Sequence, residues 1–200
     1  MELKRVVVTG LGALTPIGNT VTDYWDSLVA GVSGAAPITH FDASKFKTQF
    51  ACEVKGFDPL TVMDRKEARK VDPFVQYAIA STDEAVKDAN LNFDELNRDR
   101  IGVIWGAGIG GLTTFTEEIV TYSKGDGTPR FNPFFIPKML IDIAPGHISM
   151  RHGLRGPNFS AVSACVFPTH ISFCTFKKSR SSQAARISLR GLIIKDHKIG

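Results

Sequence analysis

The sequence predicts an α/β layered fold with a mixed, largely parallel sheet, and three observations carry that prediction. Short β-branched runs alternate with segments of helical periodicity, in the order strand, helix, strand, helix, strand. The two clearest runs, residues 4–9 and 101–105, each end in a glycine-rich loop. The chain has 200 residues, 43% hydrophobic and 22% charged, which suits one globular domain or a large piece of one. That balance excludes disordered, collagen-like and coiled-coil classes.

Lys4 to Thr9 reads as a buried strand leaving through Gly10 and Gly12 into a tight loop. A helix is expected to start at Asp23, with Trp25, Leu28 and Val29 on one face and Gly31 as its stop. Residues 33–57 are turn-rich and contain an alternating stretch from Phe50 to Val54. The strongest helix opens at Asp72-Pro73, an N-cap followed by a first-turn proline. Its stripe is Phe74, Tyr77, Ala78, Ser81, Ala85 and Ala89, at spacings of three and four. Ile101 to Trp105 reads as a second buried strand. It runs into Gly106-Ala107-Gly108-Ile109-Gly110-Gly111, with a helix expected from about Leu112. Phe131 to Pro137 reads as an aromatic, proline-bounded loop, Pro145 to Met150 as helix, and Asn158 to Ala164 as a short strand stopping at Cys165. No repeat of 20 to 50 residues is present.

Several function classes find no support. Apolar runs such as Val6–Val8 and Leu192–Ile194 fall far short of the roughly 18 residues a membrane helix needs, and glycines and a proline interrupt any signal-peptide core, so no membrane association and a cytoplasmic location are expected. Cys52, Cys165 and Cys174 form no C-x-x-C pair; their odd number disfavours a disulfide framework, and no metal site is expected. Through Cys165 there are 17 Lys and Arg against 19 Asp and Glu, and after it 7 against 1, so the chain's net +4 is carried by the last 35 residues. Those cations fit no helix face or recognition motif, and no nucleic-acid partner is expected. The first glycine loop has Thr15 where the dinucleotide fingerprint wants its third glycine. The second has Gly111 there, but no acidic residue near position 131 to take a ribose. Close backbone packing is the simpler reading of both loops. The histidines His40, His147, His152, His170 and His197 form no site by spacing, and packing or surface roles are expected for each.

Cys165 is the candidate nucleophile. It stands where a strand ends, and a helix following that bend would stabilise its thiolate through terminal N–H groups and the positive end of the helix dipole. Such a bend presents the sulfur at the C-terminal edge of the sheet. On chemistry alone a buried, inert cysteine remains the competing reading, and it is the expected one for Cys52.

From about Lys4 to Cys165 the chain resembles the β-ketoacyl-acyl-carrier-protein synthases of the thiolase fold, in particular the synthase II type. The resemblance rests on Val6-Val7-Val8-Thr9-Gly10-Leu11-Gly12-Ala13-Leu14-Thr15-Pro16-Ile17-Gly18, Gly106-Ala107-Gly108-Ile109-Gly110-Gly111-Leu112, Asn132-Pro133-Phe134-Phe135-Ile136-Pro137, and Arg155-Gly156-Pro157-Asn158 leading to Val162-Ser163-Ala164-Cys165. It implies that Cys165 takes the acyl chain and that Ile109 and Phe134 line or gate the acyl pocket. The implied activity is an acyltransferase of fatty acid biosynthesis: the thiolate accepts the acyl group from acyl carrier protein and a decarboxylated malonyl carrier displaces it. The resemblance implies no cofactor and no metal, and a homodimer as the usual assembly.

The resemblance stops at Cys165. Small residues follow the nucleophile in the family, whereas Val166-Phe167-Pro168-Thr169-His170 follow here. The expected organisation is therefore an incomplete synthase N-terminal domain over 1–165 and a divergent basic tail over 166–200, from a frameshifted or mispredicted reading frame. Intact alternative-frame coding sequence past the Cys165 codon is what that origin requires. The family's two catalytic histidines belong to H-G-T-G-T-like and G-F-G-G-like strings that do not occur here. A truncated chain of this kind is expected not to complete the condensation. Two alternatives stand beside it: a non-enzymatic fragment or carrier-binding module, and, within the fold, a polyketide synthase component.

Overall fold

The computed structural model describes residues 6–162, 174–177 and 192–196. Its centre is a five-stranded mixed sheet. Strand β1 (Val6–Leu11) lies at one edge, and β4 (Ile101–Gly106) and β5 (Asn158–Ala161) pair in parallel at the other. Between them lie β6 (Cys174–Lys177) and β7 (Leu192–Asp196), parallel to each other, with β6 antiparallel to β4 and β7 antiparallel to β1. Both antiparallel pairings thus involve strands from the basic segment, and the register of β1 against β7 shifts between Val8 and Gly10. A separate two-stranded ribbon pairs β2 (Ala36–Pro37) with β3 (Phe50–Ala51).

Helix α1 (Val21–Val29) starts two residues before Asp23. Thr20 is its N-cap, accepting from the Asp23 N–H while its hydroxyl donates to the Asp23 carboxylate at 2.8 Å, so the Thr-x-x-Asp box sets the boundary. Its apolar residues Trp25, Leu28 and Val29 are exposed. After the short α2 (Arg65–Ala68) comes α3 (Pro73–Asp88), capped by Asp72 as the sequence predicts. Its buried set is wider than the predicted stripe, adding Val75, Ile79 and Thr82 to Ala78, Ser81 and Ala85. The helix lies between β1 and α6 (Ile143–His152), and is therefore covered on more than one side.

The core joins α3 and α6 to β4 through Val75, Ile79, Val103 and Ile148, all without solvent exposure. Burial of such side chains contributes roughly 1.5–3 kcal/mol each. Asp83 and Arg151 brace α3 against α6, with the guanidinium donating to both carboxylate oxygens at 2.7 and 3.0 Å. Beyond β4 come α4 (Leu112–Lys124), close to its predicted start, and α5 (Phe135–Met139). The latter corrects the sequence reading of 131–137 as loop alone: Asn132 turns the chain by accepting from the Phe134 N–H at 2.9 Å, and one helical stretch follows. Among the described residues no helix is long and apolar enough to cross a membrane.

Candidate active site

The C-terminal ends of β4 and β5 define the candidate site. Gly106 stands opposite Ala161, and the Ala107 N–H donates to the Ala161 carbonyl at 3.3 Å. One strand therefore releases the glycine-rich loop and the other releases the chain toward Cys165 from the same sheet edge. Cys165 itself lies outside the described residues, as do His170, His197 and Cys174's side chain. Asn158 anchors β5 by donating to the Pro145 carbonyl at 3.0 Å and to Ser149 Oγ at 2.6 Å, and Ser160 Oγ donates to the Ile141 carbonyl at 3.0 Å.

The two glycine loops do different work, and each is packed closely against a neighbouring helix. After β1, the N–H groups of Leu11 and Ala13 donate to Asp88 and Glu84 of α3, both at 2.8 Å, so the loop amides already hold carboxylates and an anion would meet like charge. A Cβ on Gly12 would stand 1.8 Å from the Ser81 carbonyl oxygen, which makes the glycine a requirement of backbone-to-helix packing. After β4, a Cβ on Gly110 would stand 1.9 Å from the Met139 carbonyl oxygen and one on Gly111 2.2 Å from that of Lys138. The second loop is thus pressed onto the C-terminal end of α5.

That packing sets the loop that carries Ile109 against the helix that Phe134 opens. Ile109 sits on the loop, 70% exposed, and Phe134 is the N-cap residue of α5, 41% exposed. Lys70 Nζ lies 5.9 Å from the Phe134 ring centroid, within cation–π range. A row of rings continues from the same segment: Phe131 and Phe135 stack at 5.5 Å, Phe135 and Phe115 at 6.2 Å, and Tyr122 meets Phe131 at 5.4 Å. Glu118 of α4 accepts from the Asn132 N–H at 3.2 Å.

Asp72, read from sequence only as a helix cap, has a second role. Its Oδ1 accepts from the Phe74 N–H of α3 at 3.4 Å, while its Oδ2 accepts from the Thr114 N–H at 3.1 Å and the Thr114 hydroxyl at 2.7 Å. Helix α4 has no side-chain cap of its own at Gly111, so one buried carboxylate serves the N-termini of two helices. Its charge also reaches Tyr77, whose hydroxyl pKa is raised by burial first and by Asp72 second. The partner lies 42 residues away in sequence, so no local signal announces the pair.

The histidines among the described residues pack as expected or lie at the surface. His147 is half-buried, which pushes its pKa below the usual 6.5, with Glu67 opposing the shift. The His152 ring lies 5.0 Å from Phe93, and its Nε2 stands 3.4 Å from an Asp83 oxygen without a completed hydrogen bond. His40 is exposed beside Glu53. Cys52 departs from its expected buried environment: the ribbon it follows is only two residues wide, and the thiol is exposed.

Comparison with known proteins places this geometry. The profile described as "Beta-ketoacyl synthase, N-terminal domain" matches residues 3–166. Over 170 residues the chain is 47% identical to the 3-oxoacyl-[acyl-carrier-protein] synthase 2 of Coxiella burnetii, covering 85% of this chain and 41% of that protein. Among solved structures, the ishigamide ketosynthase/chain length factor aligns with a TM-score of 0.72 at 30% identity, over 80% of this chain and 40% of its own. A type II PKS acyl-carrier protein in complex with its ketosynthase bound to the hexaketide aligns with a TM-score of 0.63 at 25% identity, over 80% and 41%. The fold is therefore that of the thiolase-like condensing enzymes. The chain belongs to the β-ketoacyl synthase family, and it spans about two fifths of the length of the relatives it matches.

Proposed function

We propose that this chain carries the acyl-accepting part of a β-ketoacyl-acyl-carrier-protein synthase of fatty acid biosynthesis, with Cys165 as nucleophile and Ile109 and Phe134 along the acyl path. The observation that carries the reading is the shared edge at Gly106 and Ala161, from which the glycine loop and the segment leading to Cys165 both leave. The family match, which extends through position 166, supports it. In the proposed reaction the Cys165 thiolate adds to the carbonyl carbon of an acyl carrier thioester. The tetrahedral oxyanion collapses, the carrier's thiolate leaves, and the acyl group remains on Cys165. In the full condensation, malonyl carrier protein loses CO₂, the resulting carbanion attacks the acyl carbonyl to form the new C–C bond, and the Cys165 thiolate departs.

The partner in this reading is acyl carrier protein and the place of action is the cytoplasm; the homodimer is the family's assembly and is not proposed for these 200 residues alone. Residues 1–165 are the synthase segment and 166–200 the divergent tail. The 200 residues alone lack the family's histidine strings, so acyl transfer without decarboxylative condensation is their proposed competence. The polyketide neighbours favour a second reading within the same chemistry, a polyketide synthase component. The 47% identity to a synthase 2 favours the fatty acid pathway over it.

Intact mass of the purified chain after incubation with an acyl carrier protein thioester tests the reading. The expected result is a gain of one acyl group that is absent in Cys165→Ala. A folded, unlabelled chain overturns acyl transfer, and carrier affinity in that sample would identify a binding module instead.

A further inference from the structure

We propose that Asp72 and Thr114 are positioning residues that set acyl-chain selectivity by fixing the loop that carries Ile109; the selectivity part rests on the acyl-transfer reading above. Asp72 is 4% exposed and Thr114 6%, so the pair is shielded from water and its hydrogen bonds hold one geometry. Gly111, the residue before α4, lies directly against Asp72: a Cβ there would stand 3.1 Å from Asp72 Oδ2 and 2.2 Å from the Lys138 carbonyl oxygen. The loop is consequently gripped from two sides, by a carboxylate at the start of α3 and by the carbonyl end of α5. Ile109 stands two residues before Gly111, on the part of the loop that faces open space.

The same short stretch reaches the second pocket residue. Lys70, two residues before Asp72, has its ammonium over the Phe134 ring. The segment leading into α3 thus meets both parts of the site, the Ile109 loop through Asp72 beside Gly111 and the Phe134 ring through Lys70. An acyl chain long enough to reach the loop senses its position, and a short one does not. Loss of the Thr114 hydroxyl therefore affects long chains more than short ones. A purely structural role would slow both alike.

The test measures the rate of Cys165 acylation in the 200-residue chain with hexanoyl and palmitoyl carrier protein, together with amide hydrogen exchange over residues 107–111. Thr114→Val removes the hydroxyl while preserving shape and the backbone N–H, and Thr114→Ser restores it. The expected result for Thr114→Val is a palmitoyl-to-hexanoyl rate ratio lowered by roughly tenfold, faster exchange at 107–111, and recovery of both in Thr114→Ser. Asp72→Asn is expected to shift the ratio further; a failure of that variant to fold leaves the Thr114 pair to decide. An unchanged ratio in Thr114→Val, with acylation intact, overturns the positioning role alone. Absence of acylation by either chain in the folded, unsubstituted protein overturns the acyl-transfer reading, and the selectivity role with it.

Discussion

Helices α3 and α4 are of similar make but opposite circumstance. Both are more than three turns long and amphipathic, yet α3 buries six residues, four of them hydrophobics with no exposure, while α4 buries Thr114 alone. Leu112, Phe115, Ile119, Val120 and Tyr122 of α4 remain exposed. The α3 region is held by apolar packing on more than one side. The α4 and α5 region, where the candidate site lies, is held by a few directional contacts: Asp72 with Thr114, Glu118 with Asn132, and a row of stacked rings. A binding region anchored this way can adjust its position without the core having to repack.

Truncating one residue in each region should break the symmetry most sharply. Ile79→Ala, at a site with no exposure, is expected to cost about 2–5 kcal/mol in urea unfolding, whereas Ile119→Ala, 39% exposed, should cost under about 1 kcal/mol. Equal losses would show that the two helices are buried alike in solution. Next in size, Gly110→Ala forces a Cβ toward the Met139 carbonyl and should cost about 1–3 kcal/mol. The accompanying change in exchange rates should stay in α5 and the loop; changes reaching α3 would show that the site region is coupled to the core.

The smallest effect concerns pH. His147 has its pKa depressed by burial, so its neutral form is the one the fold favours. Below about pH 6.5 the unfolded chain takes up a proton that the folded chain resists, and stability falls until the folded group also titrates. The urea midpoint should therefore drop between pH 7 and pH 5, and His147→Gln should flatten that drop. The carboxylates of Asp42, Glu53, Asp64, Asp99 and Asp126 are lowered mainly by hydrogen bonds and act at more acidic pH, so they leave this window clear. An identical pH profile in the variant removes His147 from the account.

What could be read from sequence tracks how local the cause is. Asp72-Pro73 announces α3 because a cap and a first-turn proline act within one turn, and Gly106 to Gly111 announces the exit of β4 because the glycines are contiguous. The start of α1 falls two residues before the Asp23 that the sequence suggests, because the Thr-x-x-Asp box offers two candidate oxygens and the structure uses that of Thr20. The all-round burial of α3 escapes a single-stripe reading, since Val75, Ile79 and Thr82 are covered by elements distant in sequence. The same holds for the site: its glycines and aromatics were legible, and the carboxylate that pins them, acting on Thr114, was not.

The sheet order also sets a schedule. Val6 in β1 pairs with Asp196 in β7, and β6 and β7 separate β1 from β4. During synthesis the earliest strand therefore has no neighbour until residues 192–196 have left the ribosome, a separation that favours slow folding. Helix α3 can receive it first, because Gly10 and Gly12 let the strand lie directly on the helix backbone. The glycines that look like a ligand loop thus allow the nascent strand to dock before either of its edges is paired.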